Sequence, residues 1–267
     1  MARALKENDG TEGLAQDPRA EDAMAEHEMS TSEAGPPPST GRSTWQNLLD
    51  VVLAPSATFA DVRERPRWLV PLLIIAGLTL VLSYFMLPLY SEMQRIGMMA
   101  REMTEEQREA ALRQMEQFKY VGLAFGPIMV ALISALVGLL MWAWAAISGA
   151  RDPRYKVAFT AIVYTGVIGI LQLIAQSIVV SVKGAEQVAL EGGPPTFGLA
   201  LFLERGEMPK ILYGLLANVN FFSIWTLIVV AIAGVVAMKM SKAAAYGFSI
   251  VMWLIGGVIL GLTGTPS

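Results

Sequence analysis

Cysteine is absent from this 267-residue chain, and histidine occurs once, as His27. The first absence excludes disulfides, thiolate metal sites and cysteine nucleophiles. The second removes the usual imidazole ligand and acid–base group from everything beyond the N-terminal tail. Charge is scarce too. Asp, Glu, Lys and Arg make up 16% of the residues, against about 25% in an ordinary soluble domain. A net charge of −3 offers no basic footprint, so no nucleic-acid partner is expected. A phosphate loop, a dinucleotide fingerprint, an HExxH pair and a GxSxG elbow are all missing. Ser134, Ser177 and Ser223 have no histidine to activate them. These gaps point away from an enzyme, and no metal or cofactor is expected.

What the chain has instead is oil. Hydrophobic residues make up 54% of it, and mean hydropathy is +0.49. The charges are confined to the first 68 residues and to the links between five apolar blocks, at about 69–89, 121–147, 157–182, 211–237 and 243–262. A bilayer core accepts about 20 apolar residues in a helix, and a charge at its centre costs about 2.5–3.5 kcal/mol. The expected fold class is therefore all-α: a polytopic membrane protein with five transmembrane helices in a domain over 69–262. The first block starts too late to be a cleavable N-terminal signal.

Residues 1–42 are acidic and poor in large apolar side chains, with prolines at 36–38. This reads as a disordered cytoplasmic tail. The pattern changes at Ser43. In "STWQNLLDVVLAP", Trp45, Leu48, Leu49, Val52 and Leu53 share one helical face, Ser43 and Gln46 suit a capping box, and Pro55 stops the helix. Too short to span, residues 43–68 read as an interfacial amphipathic region, with Trp45, Leu49 and Trp68 as anchors. Arg63, Arg65 and Arg67 precede the first block, and the links after the second and fourth blocks are also net basic. The positive-inside rule then puts the N-terminus in the cytoplasm and the C-terminus outside a prokaryotic cytoplasmic (inner) membrane.

The remaining links are longer. That at 90–120 holds five basic and six acidic residues, with Thr104 and Gln107 suited to a second capping box. Its periodic stripe of Ala111, Met115 and Phe118 predicts a helix continuing into the second span. The link at 183–210 pairs a Gly-Gly-Pro-Pro break with a short apolar piece at 197–203, which suggests a surface-lying or re-entrant segment.

Amides stand out inside the blocks. Gln172 and Gln176 are one turn apart, Asn218 and Asn220 begin the fourth block, and Tyr84 lies at a comparable depth. Hydrocarbon leaves such groups unpaired, so an interhelical polar layer in the outer half of the bundle is expected. It serves either as structural glue or as the lining of a ligand cavity. On one continuous helix Asn218 and Asn220 point about 200 degrees apart, so a single face cannot present both. Gly122 with Gly126, beside Pro127, and Gly257 with Gly261 form small-xxx-small pairs suited to helix packing. Trp225 and Trp253 fall mid-block and need an indole partner or a protein groove.

Three stretches carry a family resemblance: "LLDVVLAPSATFADVRERPRWLVPLL", "SGARDPRYKVAFTAIVYTGV" and "NVNFFSIWTLIVVAIAGVVAMKMSKAAAYG". Pro55, Phe59 and Pro66 in the first, Phe159, Ala161 and Tyr164 in the second, and Asn220, Trp225, Gly234, Ser241, Lys242 and Ala243 in the third resemble the Yip family in its prokaryotic branch. That family is named for Ypt/Rab-interacting proteins. The resemblance covers about 45–262 and implies a cytoplasmic N-terminal region ahead of a five-helix membrane domain. Eukaryotic members act in vesicle traffic with small GTPases, a role the tail here has no motif to support. The implied function is a non-enzymatic membrane scaffold or accessory protein for other membrane or envelope transport components. Its partners would be membrane lipids and a membrane protein or a second copy. The competing reading is a lipid or small-molecule transporter with an uncharged polar cavity.

Overall fold

Two short helices precede the long ones. Helix α1 (Thr44–Leu53) opens on the capping box: Ser43 Oγ accepts from Gln46 N at 3.2 Å, and Gln46 Oε1 accepts from Ser43 N at 2.9 Å. Pro55 both ends α1 and begins α2 (Pro55–Glu64), since its fixed φ suits the first helical position. The computed structural model describes residues 42–99, 103–191, 193–202 and 208–263, all within the unit Arg42–Ser267. The expected tail, with His27 and the prolines at 36–38, lies outside the described residues except for Arg42.

Three long helices follow: α3 (Leu69–Met99), α4 (Glu105–Ile147) and α5 (Tyr155–Lys183). The Thr104–Gln107 capping box starts α4, with Glu105 and Glu106 favoured by the helix dipole in its first turn. The charged link and the second apolar block are one helix. At 1.5 Å per residue, its 43 residues reach about 64 Å, roughly twice the bilayer core. Helix α5 is the hub, with 56% of its most apolar stretch buried inside the chain against 6% for α4. It packs against α1, α2, α3, α4 and α8, and Tyr164, Val157 and Ile168 sit with Phe59, Val62, Met141 and Met238 in the main core.

Beyond α5 come α6 (Ala185–Leu190), a 3-10 turn (Leu199–Phe202), α7 (Lys210–Ala217), α8 (Phe221–Val236) and α9 (Lys242–Thr263). Helix α6 folds back on α3, burying Val188 with Met93 and Val180. The stretch 211–237, which reads as one span, is divided: α7 and α8 meet at a 74° bend. Four helices are long and apolar enough to cross a membrane, or five if this bent pair counts as one crossing. The turns joining α2 to α3, α4 to α5 and α8 to α9 gather at one end of the bundle, here the basic end. The link carrying α6 and the 3-10 turn lies at the far end.

Candidate functional site

The break between α7 and α8 is built by the two asparagines. Asn220, almost fully buried, is the N-cap of α8. Its Oδ1 accepts from Ser223 N at 2.9 Å, Ser223 Oγ accepts from Asn220 N at 3.3 Å, and its Nδ2 donates to Ala217 O at 3.2 Å. Asn218 is the C-cap of α7, and its Nδ2 donates to Trp253 O of α9 at 2.8 Å. The carbonyls freed by the break are taken up: Ser223 Oγ donates to Asn218 O, and Leu199 N donates to Val219 O at 3.3 Å. The picture of two amides on opposite faces of one helix is thereby corrected. Capping groups end one helix and begin another, which is how an apolar segment changes direction without leaving peptide groups unpaired.

Gln176 joins this region from α5. Its Nε2 donates to Pro195 O at 3.1 Å, holding down the strand of chain whose Leu199 meets Val219. Gly198 lets that strand press against α7, because an added Cβ would lie 2.9 Å from Ala217 Cα. Gln172 is half-buried and its side chain makes no hydrogen bond among the described residues. Tyr84 is 58% exposed, its ring set edge-on to Phe85 at 5.9 Å, and stays outside the set. Asn218, Asn220 and Gln176 are thus tied together through backbone, while Gln172 and Tyr84 are not. The indole N–H groups of Trp225 and Trp253 are buried and unpartnered among the described residues.

The glycine pairs differ. Gly257 and Gly261 on α9 receive α7: an added Cβ would lie 3.1 Å from Leu215 Cα in one case and 2.9 Å from Ile211 Cα in the other. Gly214 on α7 faces them, and any Cβ there would overlap the backbone of both. By contrast, Gly122 has open space around it, and Gly126 has only Thr79 Cγ2 at 4.0 Å. Pro127 lies inside the unbroken α4. A further close crossing was not anticipated: Ser134, Gly138, Met141 and Ala145 form the buried stripe of α4, and a Cβ on Gly138 would lie 2.8 Å from Phe159 Cα of α5. Ser134 and Gly138 are themselves a small-xxx-small pair, so the signal was present in the sequence.

At the basic end, Arg63 is a clasp. Its Nη1 donates to Ala237 O at the end of α8 at 2.7 Å, and its own carbonyl accepts from Arg154 Nη2 at 2.7 Å. Asp152, at a positive φ of 55°, lies 3.7 Å from Arg63 and 3.3 Å from Arg154. Trp144 Nε1 donates to Ala244 O at 3.0 Å, joining α4 to α9. Trp68 packs edge-on to Phe159 at 5.6 Å. Trp45 and Leu49 are 65% and 70% exposed, while Leu48 and Val51 on the same helix are buried. No partner of Arg63 is near it in sequence, which is why only its orienting charge was legible.

Among the described residues no group of three or more His, Cys, Asp or Glu side chains could hold a metal ion. Long apolar helices, with Gln176, Asn218 and Asn220 turned onto backbone, define a multi-pass helical membrane protein. The Yip1 domain model matches residues 49–263, and the chain belongs to that family. Its members are non-catalytic membrane scaffolds, and this chain is a membrane accessory protein of that kind. No curated protein and no solved structure gives a match.

Proposed function

We propose that the protein is a scaffold of the prokaryotic cytoplasmic membrane, crossing it five times with the bent α7–α8 pair as the fourth crossing. The basic end faces the cytoplasm, the C-terminus lies outside, and α1 lies in the inner interface. The bundle holds another membrane protein, or a second copy, against its open helix faces. The observation that carries this reading is the use made of the amides: Gln176, Asn218 and Asn220 each spend a side-chain donor on a backbone carbonyl of the same chain. Groups committed in this way lock the bundle; they do not line a passage for a solute. The open surroundings of Gly122 on the scarcely buried α4 favour a partner at that face.

The test is Gln172→Leu combined with Gln176→Leu, followed by purification in mild detergent and mass spectrometry of stoichiometric partners. Weakened assembly is the expected outcome. Intact assembly with loss of lipid or small-molecule transfer would establish the transporter instead. Orientation is read separately with an impermeant thiol reagent on intact cells: Glu105→Cys reacts, while Asp152→Cys and Lys239→Cys stay protected.

A further inference from the structure

The two ends of the bundle differ in how many of their cations are paired: among the described residues of the far end, Lys210 alone has no ion pair. At the far end, Arg95, Arg108, Arg113, Lys119 and Lys183 are each paired with a carboxylate of the same chain, on Glu92, Glu105, Glu109, Glu116 and Glu191. At the basic end, Arg67, Arg151, Lys156, Lys239 and Lys242 are all exposed, and none forms an ion pair among the described residues. Local acids do not answer them. Asp50 is paired with Arg42, Asp152 with Arg63 and Arg154, and Asp61 accepts from Asn47, which leaves Glu64. The basic end therefore keeps a surplus of positive charge on its surface.

The Arg63 clasp makes this surplus one surface. It holds the end of α2 to the Asp152 turn and to the end of α8, so Arg67, Arg151, Lys239 and Lys242 are carried on three segments fastened to one another. Lys239 is held there in a left-handed conformation, φ 57°, within a tight turn whose Met238 and Met240 are buried. An apolar stripe lies on α1, which packs against α2. Trp45, Leu49 and Leu53 on α1, one turn apart, are 65%, 70% and 82% exposed, although the opposite face of the helix is packed on the core. Leu69, Val70 and Leu73 at the start of α3, a helix that α1 touches, are exposed as well.

We propose that this surface is a binding site for anionic phospholipid headgroups, with Trp45, Leu49 and Leu53 set among the adjoining acyl chains. Charge complementarity selects the headgroup, since free cations at a membrane surface attract anionic lipid. The contact of α1 with α3, a helix apolar enough to cross a bilayer and little buried inside the chain, selects a bilayer over a soluble anion. A Trp at the headgroup level and Leu below it is the arrangement such an interface favours. The inference rests on the proposed membrane reading of the basic end, but not on which partner the scaffold holds.

The experiment titrates the full chain in mild detergent with phosphatidylglycerol or phosphatidylcholine and counts bound lipid by native mass spectrometry. Wild type is expected to prefer phosphatidylglycerol. Lys239→Gln and Lys242→Gln are each expected to lower that affinity about fivefold, leaving phosphatidylcholine unchanged. Lys210→Gln, exposed at the far end, serves as the control and should change nothing. Phosphatidylglycerol carrying a photoreactive acyl chain should crosslink to residues 45–53. Equal affinity of wild type for the two lipids, an equal loss in the Lys210→Gln control, or crosslinks absent from α1 would each overturn the proposal. Failure of partner capture would overturn the scaffold reading and leave these lipid results as they are.

Discussion

Gly214→Ala is the sharpest probe of how α7 is held. The added methyl has nowhere to go: the atoms it meets are the Gly257 carbonyl and the Gly261 amide, which are backbone and cannot rotate away. Relief requires α7 to lift from α9, which disturbs the Asn218–Trp253 bond one turn further on. Overpacking of this kind costs about 1–3 kcal/mol. Alanine also improves helix propensity over glycine by about 0.8–1.0 kcal/mol, which offsets part of the loss. Gly126→Ala supplies the reference, because its Cβ meets only Thr79 Cγ2 at 4.0 Å while the propensity gain is the same. The difference between the two variants isolates the clash. At about 2–4 °C per kcal/mol for a chain of this size, it corresponds to a Tm gap of about 2–12 °C. Thermal unfolding in detergent, followed by fluorescence-detected size exclusion, reads that gap directly. Equal Tm values for Gly214→Ala and Gly126→Ala would refute the close approach of α7 to α9.

Two other substitutions test the break and the clasp. Asn220→Ala removes the N-cap of α8 and should cost about 0.5–2 kcal/mol, whereas Asn220→Ser should recover most of the lost Tm; no recovery would mean that capping is not what Asn220 contributes. Arg63→Gln loses a charged donor to Ala237 O, worth about 1.5–3 kcal/mol, and should speed amide exchange in the α8–α9 turn while leaving α6 unchanged. Uniform acceleration across the bundle would show that Arg63 acts on global stability alone.

Much of the architecture was legible because bilayer and helix impose strong local rules. Uncharged runs of about 20 residues mark helices whatever they pack against. Ser43 with Gln46 and Thr104 with Gln107 are capping boxes decided within four residues. The same rule applied to Asn220 and Ser223 would have exposed the break, since Asn at N-cap with a hydroxyl three residues on is a start signal. Hydropathy concealed it: the residues on both sides are apolar, and a window average cannot register a change of direction. The Gly257 and Gly261 pair met a partner helix, while Gly122 met open space and Gly126 only Thr79 Cγ2 at 4.0 Å, although the two motifs look alike in sequence.

Composition and local order alone settled that this chain lives in a membrane, where the two capping-box helices begin, and which turns carry the surplus of positive charge. Tertiary structure decided which helix is the hub, which glycines are crowded, and that Arg63 joins segments 174 residues apart. The reason is physical: solvent preference and capping act over one or two turns of helix. The partner of an amide, a glycine or a guanidinium is fixed only when distant segments come within a few ångströms of each other.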